Sequence, residues 1–357
     1  MKGRLLDLGC RDEWKSYHER LPAACSDIYA SPDYYEVFEK RGDGKAHGYL
    51  YEEGEGFVLY PFLMNPVRPL GLLDPDEEYF DIQGAYGYNG PYASSVDDSL
   101  IGGFSREFVT FCHEAHIVAE FIRFNPVIGN HRFLTYLTPL DTLDNVVVDL
   151  TLSEEDLWMK SYDHGVRKAI SKGERSGLAC EIILSKNMSA GDIGKFVKLY
   201  HATMSRNQAG EFYFFDEDFF RQLAGGLPHN SLFVLVYKDQ VPISTELVLF
   251  GRQAAYGFLG GTLAEYYSLS PNSYLRHHLI LHLKQKGLKF YSIGGGIKRN
   301  DNIYKFKKSF SRNVDSTFYI GKKVHNLPLY DDLCRAWEQK NPGKKEIYGN
   351  YILKYRY

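Results

Sequence analysis

Apolar residues recur along this chain with two different periods. Leu275, Leu279 and Leu283 repeat every four positions, and Ile193, Phe196, Val197 and Tyr200 repeat at helical steps; each set lays one apolar stripe on a helix. These predict helices over 190–206 and from Ser270-Pro271 to Gly287, with proline suited to the first helical position and glycine to the stop. A short helix is predicted over 216–223. Runs rich in β-branched and aromatic residues predict strands at 180–184, 231–237, 243–250, 254–259 and 289–293. The second and third of these join across Lys238-Asp239-Gln240 as a hairpin. The resulting order is β-α-α-β-β-β-α-β.

The first half reads the same way after its opening strand. Ser31 and Pro32 start a helix to about Lys40, 47–51 and 57–63 form a hairpin, 80–88 is extended, 98–115 is helical and 118–124 is a strand. Ala85-Tyr86-Gly87 in the extended segment returns as Ala255-Tyr256-Gly257. The chain is therefore expected to be a duplicated α/β protein, with units at 1–150 and 151–325 and a tail at 326–357 packing back on the core. A connecting helix is predicted from Ser153, capped with Asp156 three residues on, to about Lys172. Lys160, His164, Arg167, Lys168 and Ser171 would share one side of it.

Composition narrows the classes. Hydrophobic residues make up 44%, enough for two cores, and most of the 28 Tyr and 23 Phe are expected to pack them. A net charge of −3 gives no whole-molecule pull towards nucleic acid or membrane, though a local basic patch could supply one. Five scattered cysteines without a CxxC pair fit a reducing compartment and no structural zinc. Residues 1–10 lack an apolar core for a signal, and no long apolar run suggests a span, so the cytoplasm is the expected location.

Specific motifs carry a resemblance. Ser270-Pro271-Asn272-Ser273-Tyr274-Leu275 opens a helix after a third strand, residues 287–296 end a strand in Gly294-Gly295-Gly296, and 303–310 read Ile-Tyr-Lys-Phe-Lys-Lys-Ser-Phe. These resemble the helix opening, the "G…yD.gG" strand and the "FK.gF" signature of the FemAB family, which includes the peptidoglycan bridge-forming aminoacyltransferases. Residues 166–177 and 203–206 are similar to its "R..iRKA.k.G" and "T..R" segments, and 86–92 to a "YGYGGP" turn. The resemblance covers roughly 150–320. It implies mixed α/β sheets in two tandem GNAT-like (acyl-CoA N-acyltransferase) units with a cleft between them. The chain departs from the pattern in four places. Ser292 stands where the family has Asp, Phe38 stands where relatives that bind muramyl peptide place a Lys, no Q/R-x-x-G-x-G/A segment precedes a helix, and no long helical arm is present.

By this resemblance Lys307 would stabilise a developing oxyanion or a donor phosphate, and Tyr304, one turn away, would relay a proton. Otherwise Lys307 is a solvated lysine among Lys305 and Lys308, and Tyr304 a packed ring. Arg167 and Lys168, with Lys172, would face phosphates of tRNA or a nucleotide sugar, or simply water. Arg206 and Tyr213 match acceptor-contacting positions, and Lys305 and Tyr256 are further substrate-binding candidates. Asn272 and Ser273 lie in a helix's first turn, where free N–H groups favour anions. Arg123 and Asn125 end a first-unit strand and would anchor the acceptor, or satisfy a structural partner instead. His278 and His282 lack the glutamate of a zinc motif, so no metal is expected. No tightly bound cofactor is expected either, and the donor is aminoacyl-tRNA or acyl-CoA. The reading is transfer of an acyl or aminoacyl group to an amine of a cell-envelope precursor, a nucleotide- or lipid-linked sugar or peptide. Its rivals are acyl-CoA-dependent N-acetylation of an amino sugar for surface polysaccharide, and a non-catalytic binding module. Partners would be a small acceptor and possibly tRNA, not DNA; the oligomeric state is open.

Overall fold

A computed structural model describes residues 3–73, 77–312 and 315–357. The chain divides into two units, residues 1–142 with 318–357, and residues 143–317. The first runs β1 (Gly3–Asp7), α1 (Arg11–Arg20), α2 (Pro32–Arg41), β2 (Lys45–Glu53), β3 (Gly56–Pro66), β4 (Phe80–Gln83), β5 (Tyr92–Ala93), α3 (Asp98–Glu114) and β6 (Ile117–Arg123). Its strands lie in the order β1-β2-β3-β4-β6, antiparallel up to β4 and parallel between β4 and β6, with β5 paired to β3. α3 lays Phe104, Phe108 and Phe111 on Tyr49 and Tyr60, rings 4.8–6.4 Å apart, so most tyrosines here are core.

The second unit runs β7 (Leu140–Asp149), α4 (Glu154–Asp156), α5 (His164–Arg175), β8 (Leu178–Leu184), α6 (Ala190–Arg206), α7 (Glu217–Gly226), β9 (Ser231–Lys238), β10 (Val241–Phe250), β11 (Ala254–Thr262), α8 (Pro271–Gln285), β12 (Phe290–Gly295) and α9 (Asn302–Lys308). Its strand order is β7-β12-β11-β10-β9-β8, with β11 and β12 parallel and the other pairs antiparallel. The β9–β10 hairpin turns at Asp239 and Gln240, both at positive φ, as a primed two-residue turn needs. On one face α5 and α8 bury Val166, Ile170, Leu275, Leu279 and Leu283 against Val248, Ala255 and Ile293. On the other, α6 places Phe196 edge-on to Phe233, and the Leu199 carbonyl comes so near Gly261 that a Cβ there would stand 2.3 Å away. Only glycine lets helix and strand approach this closely.

The C-terminal segment adds β13 (Asp315–Val324), α10 (Leu327–Lys340) and α11 (Lys345–Tyr348). β13 pairs with β6, so residues 318–325 count with the first unit and not, as expected, with the second. Leu333, Trp337, Ile352 and Tyr355 pack on Val67 and Val118.

Apart from the two-residue β5, both units follow one order: β1-α1-α2-β2-β3-β4-α3-β6, then β8-α6-α7-β9-β10-β11-α8-β12. Two sequence expectations need correction. The first Ala-Tyr-Gly is not on a strand: β4 ends at Gln83, and Gly87 turns at φ 103° against the Tyr29 ring. The turn is held by Asn89, whose backbone N–H donates to Arg123 O and whose Oδ1 accepts from Arg123 N. Only Ala255-Tyr256-Gly257 is in a strand, so the short repeat marks unlike structures within like topologies. The connecting helix is likewise broken. α4 passes into a π-type turn over Leu157–Ser161, and Tyr162 is extended before α5 begins. At the break Ser161 Oγ donates to Phe310 O, Asp163 N to Ser309 O and Arg312 N to Ser161 O. The backbone there bonds to the segment after α9 and leaves the helical ladder.

Candidate functional site

The site is built where β11 and β12 part. They pair only from Ala254↔Phe290 to Tyr256↔Ser292, yet β11 continues to Thr262 and β12 to Gly295. β12 then bulges against β7 between Ser292 and Gly294, and Gly294 takes φ 77°. The diverging strands carry Gly257, Gly260 and Gly261 on one side and Gly294-Gly295-Gly296 on the other. A parted parallel pair leaves backbone groups that a ligand can use.

Lys307 stands at the end of this opening. Its Nζ donates to Gly295 O at 2.7 Å and lies 3.3 Å from where a Gly294 Cβ would be. Burial, then the nearby Arg276 guanidinium, bring its ammonium down to about 8, against the opposing pull of Glu246 and Asp301. Asp301 sets the approach: its carboxylate accepts from Ile297 N at 2.7 Å, Lys298 N at 3.0 Å and Tyr304 N at 2.7 Å. It thereby folds the glycine loop and caps α9, and those N–H groups hold it below the usual carboxylate range.

Beneath the opening lies a buried polar cluster. Glu246 of β10 pairs with Arg276 of α8 at 2.9 Å and accepts a hydrogen bond from the Tyr291 hydroxyl of β12. A Cβ on Gly257 would stand 2.6 Å from Glu246 Oε1, so glycine makes room for the carboxylate. The Arg276 guanidinium lies over the Phe306 and Phe310 rings at 5.6 and 5.8 Å, the residues flanking Lys307 and Lys308. Burial and the Glu246 charge push the Tyr291 hydroxyl up, so it stays a neutral donor. Glu246, Arg276 and Tyr291 were not singled out from the sequence. The signals were there, a carboxylate inside the apolar run of β10 and an arginine between Leu275 and Leu279, but nothing in the spacing joins them.

The other candidates fall into separate places. Tyr304 is half-buried against the core and Lys305 is exposed, both on α9 with Lys307. Arg206 and Asn272 meet at Thr262: Arg206 Nη1 donates to its carbonyl at 2.7 Å, and Asn272 Oδ1 accepts from its hydroxyl and from Ser244 Oγ. Arg206 also stacks on Tyr267, 5.3 Å from the ring centre. Ser273 and Tyr256 are buried, Tyr256 beside Ser292 where the strands part, and Tyr213 is exposed. Arg167 Nη1 is committed to the carbonyls of Trp158, Met159 and Tyr162, closing the helix break, while Lys168 is exposed. Lys160 pairs with Asp156 across the break from α5, so the predicted basic stripe is not continuous. In the first unit, Arg123 Nη2 donates to Ala85 O at 3.0 Å and Asn125 Oδ1 accepts from Val127 N and Ile128 N, which ties local turns. Among the described residues no group of three or more His, Cys, Asp and Glu could hold a metal, and no helix is long and apolar enough to cross a membrane.

Residues 160–308 match the acetyltransferase (GNAT) domain family. No curated protein matches the chain. Among solved structures it is similar to FemX, at 12% identity and a TM-score of 0.68 over 93% of this chain and 99% of that one. It is similar also to the C-terminal domain of a putative lysylphosphatidylglycerol synthetase from Agrobacterium fabrum, at 14% identity and a TM-score of 0.56 over 91% and 96%. A third, a conserved protein of unknown function from Bacteroides thetaiotaomicron, matches at 8% identity and a TM-score of 0.52 over 89% and 98%. At such identities the likeness is one of fold. The matched acetyltransferase (GNAT) domain spans the parted strands, the buried cluster and Lys307, and over nearly its whole length the chain shares the fold of FemX.

Proposed function

We propose that the second unit transfers an acyl or aminoacyl group to an amine of a cell-envelope precursor in the cytoplasm, with Lys307 acting on the donor. The observation that carries this is the Lys307 amine, held at Gly295 O where two glycine-rich strands diverge. Acyl transfer needs a positive group where charge develops on the carbonyl oxygen, and a proton for the departing sulfur or oxygen. A lysine brought down to about 8 is charged at neutral pH yet gives up its proton readily. In this reading the acceptor amine forms the new C–N bond and the donor C–S or C–O bond breaks. The Lys307 ammonium protonates the leaving group and is recharged by the proton the amine sheds. Tyr304, on the same helix, is the candidate relay. Arg206 and Asn272 around Thr262 would face the acceptor, with Tyr213, Tyr256, Ser273 and Lys305 as further substrate contacts. Lys168 remains the cation for a donor phosphate, and Arg123 and Asn125 would act only through the turns they hold.

The donor divides two versions. A GNAT domain supports acyl-CoA as donor, and with that donor the acceptor proposed is an amino sugar. The neighbour named as a putative lysylphosphatidylglycerol synthetase favours an aminoacyl group, for which aminoacyl-tRNA is the carrier this reading would require. Thermal melting with acetyl-CoA, aminoacyl-tRNA and a UDP-amino sugar separates them, since the true ligands raise the melting temperature by binding the folded state alone. With the pair so found, Lys307→Ala is expected to lower kcat about 10²–10³-fold, the usual loss for one oxyanion-stabilising group. An unchanged kcat overturns the assignment of Lys307, a ligand that shifts melting without any transfer favours a binding module, and no shift with any of these ligands counts against the transfer reading.

A further inference from the structure

We propose that Glu246 and Arg276 form a positioning pair for the Lys307 amine, seating helix α9 through the Phe306 and Phe310 rings over which the Arg276 guanidinium lies. The inference rests on Lys307 as the acting group. The geometry gives each partner a task. Glu246 is fixed from three strands: its own β10, the Gly257 gap in β11 and the Tyr291 hydroxyl of β12. Its second oxygen holds Arg276, leaving the flat guanidinium against the two rings that bracket Lys307 in sequence. α9 has only seven residues, and such a short helix does not hold its shape alone. Asp301 fixes its start, and the backbone bonds from Ser161 and Asp163 fix the turn after it. Arg276 supplies the contact from below that sets how far the Lys307 side chain reaches. The groups that face the amine are Arg276 from α8, Glu246 from β10 and Asp301 from the loop before α9; Tyr291 of β12 acts on it through Glu246. Arg276 opposes the amine's charge while Glu246 and Asp301 favour it.

These opposed signs make the proposal testable without knowing the donor. The full-length protein is acetylated with a trace of acetic anhydride between about pH 6 and pH 10, and the peptide bearing Lys307 is quantified by mass spectrometry. The native midpoint is expected near 8. Glu246→Gln removes the favouring charge and is expected to lower it by about one unit; Arg276→Met removes the opposing charge and is expected to raise it by about one unit. A role in folding alone moves neither in opposite directions, so unmoved midpoints, or shifts of the same sign, overturn the pair. If Arg276→Met does not fold, Arg276→Lys keeps the charge but loses the fork to Glu246 and the flat contact with Phe306. It is then expected to leave the midpoint near native and lower kcat about 10-fold, and a native kcat overturns the proposal. Failure of the functional reading is seen separately. Lys307→Ala with undiminished transfer sinks that reading whatever the labelling shows, whereas lost transfer with unmoved midpoints sinks only the pair.

Discussion

Lys307 carries both the proposed chemistry and a stability cost. Its amine is charged in water up to pH 10.5 but only to about 8 in the fold, so between these values the unfolded chain binds more protons. Stability from this group therefore rises with pH across that window and is lowest below 8. Lys307→Met is expected to melt higher than the native protein at pH 7, by about 1–3 kcal/mol, with the gain fading above pH 10. Denaturant titration at the two pH values measures it, and a loss of stability at pH 7 refutes the stated burial cost. The resemblance picked out Lys307 because one motif contains it. It could not pick out Glu246 and Arg276, which lie 30 positions apart and meet only across β10 and α8. Side-chain period tells which face a residue takes, not which residue waits on the neighbouring element.

At the scale of elements, the break between α4 and α5 is the informative departure. Periodicity predicted one helix with a basic stripe, because the break needs neither proline nor glycine at Tyr162. Backbone partners 149 positions away decide it, through Ser161 Oγ to Phe310 O and the neighbouring bonds. Arg167 closes the freed carbonyls, where the sequence alone offered it as a phosphate ligand or a solvated cation. Two substitutions separate these roles. Arg167→Ala is expected to cost about 1–3 kcal/mol by leaving carbonyls unsatisfied, while Lys168→Ala, exposed, is expected to leave stability within about 0.5 kcal/mol. If the donor is tRNA, Lys168→Ala weakens its binding in a salt-dependent manner. Equal stability of both variants contradicts the capping role of Arg167.

Across the whole molecule, the first unit depends on the C-terminal segment. Arg356 Nε donates to both oxygens of the fully buried Asp81 at 2.7 Å, and its Nη2 reaches the carbonyls of Asn65 and Pro66. Burial, only partly offset by Arg356, raises the Asp81 carboxyl to about 6. The folded state therefore holds that proton more tightly than the unfolded chain, and this group's contribution falls as pH rises from about 4 to 6. Arg356→Ala leaves Asp81 buried without its cation. It is expected to cost about 3–5 kcal/mol at pH 8 and less at pH 5, where Asp81 takes up a proton. Urea melts at the two pH values test this, and a loss independent of pH refutes it. A second tie runs from His325, just past the end of β13, to Glu120 on β6 at 3.0 Å, with Tyr60 and Tyr136 hydroxyls on the same carboxylate. Neither tie was legible beforehand, because Asp81 and Arg356 are 275 positions apart and both stand in ordinary polar surroundings in the sequence.

The sequence by itself determined most of the elements and their order. Helix α6 spans 190–206 as its period requires, the β9–β10 hairpin turns where expected, and proline and glycine bound α8 closely. Those are local matters, fixed by side-chain period, caps and turn residues within a few positions. It also pointed to Lys307 through a motif of eight residues. Only the tertiary structure decided where β11 leaves β12, why Ala-Tyr-Gly turns in one unit and runs straight in the other, and which charges stand beneath Lys307. Each of these depends on groups far apart in the chain meeting in low dielectric, where burial and pairing outweigh local preference.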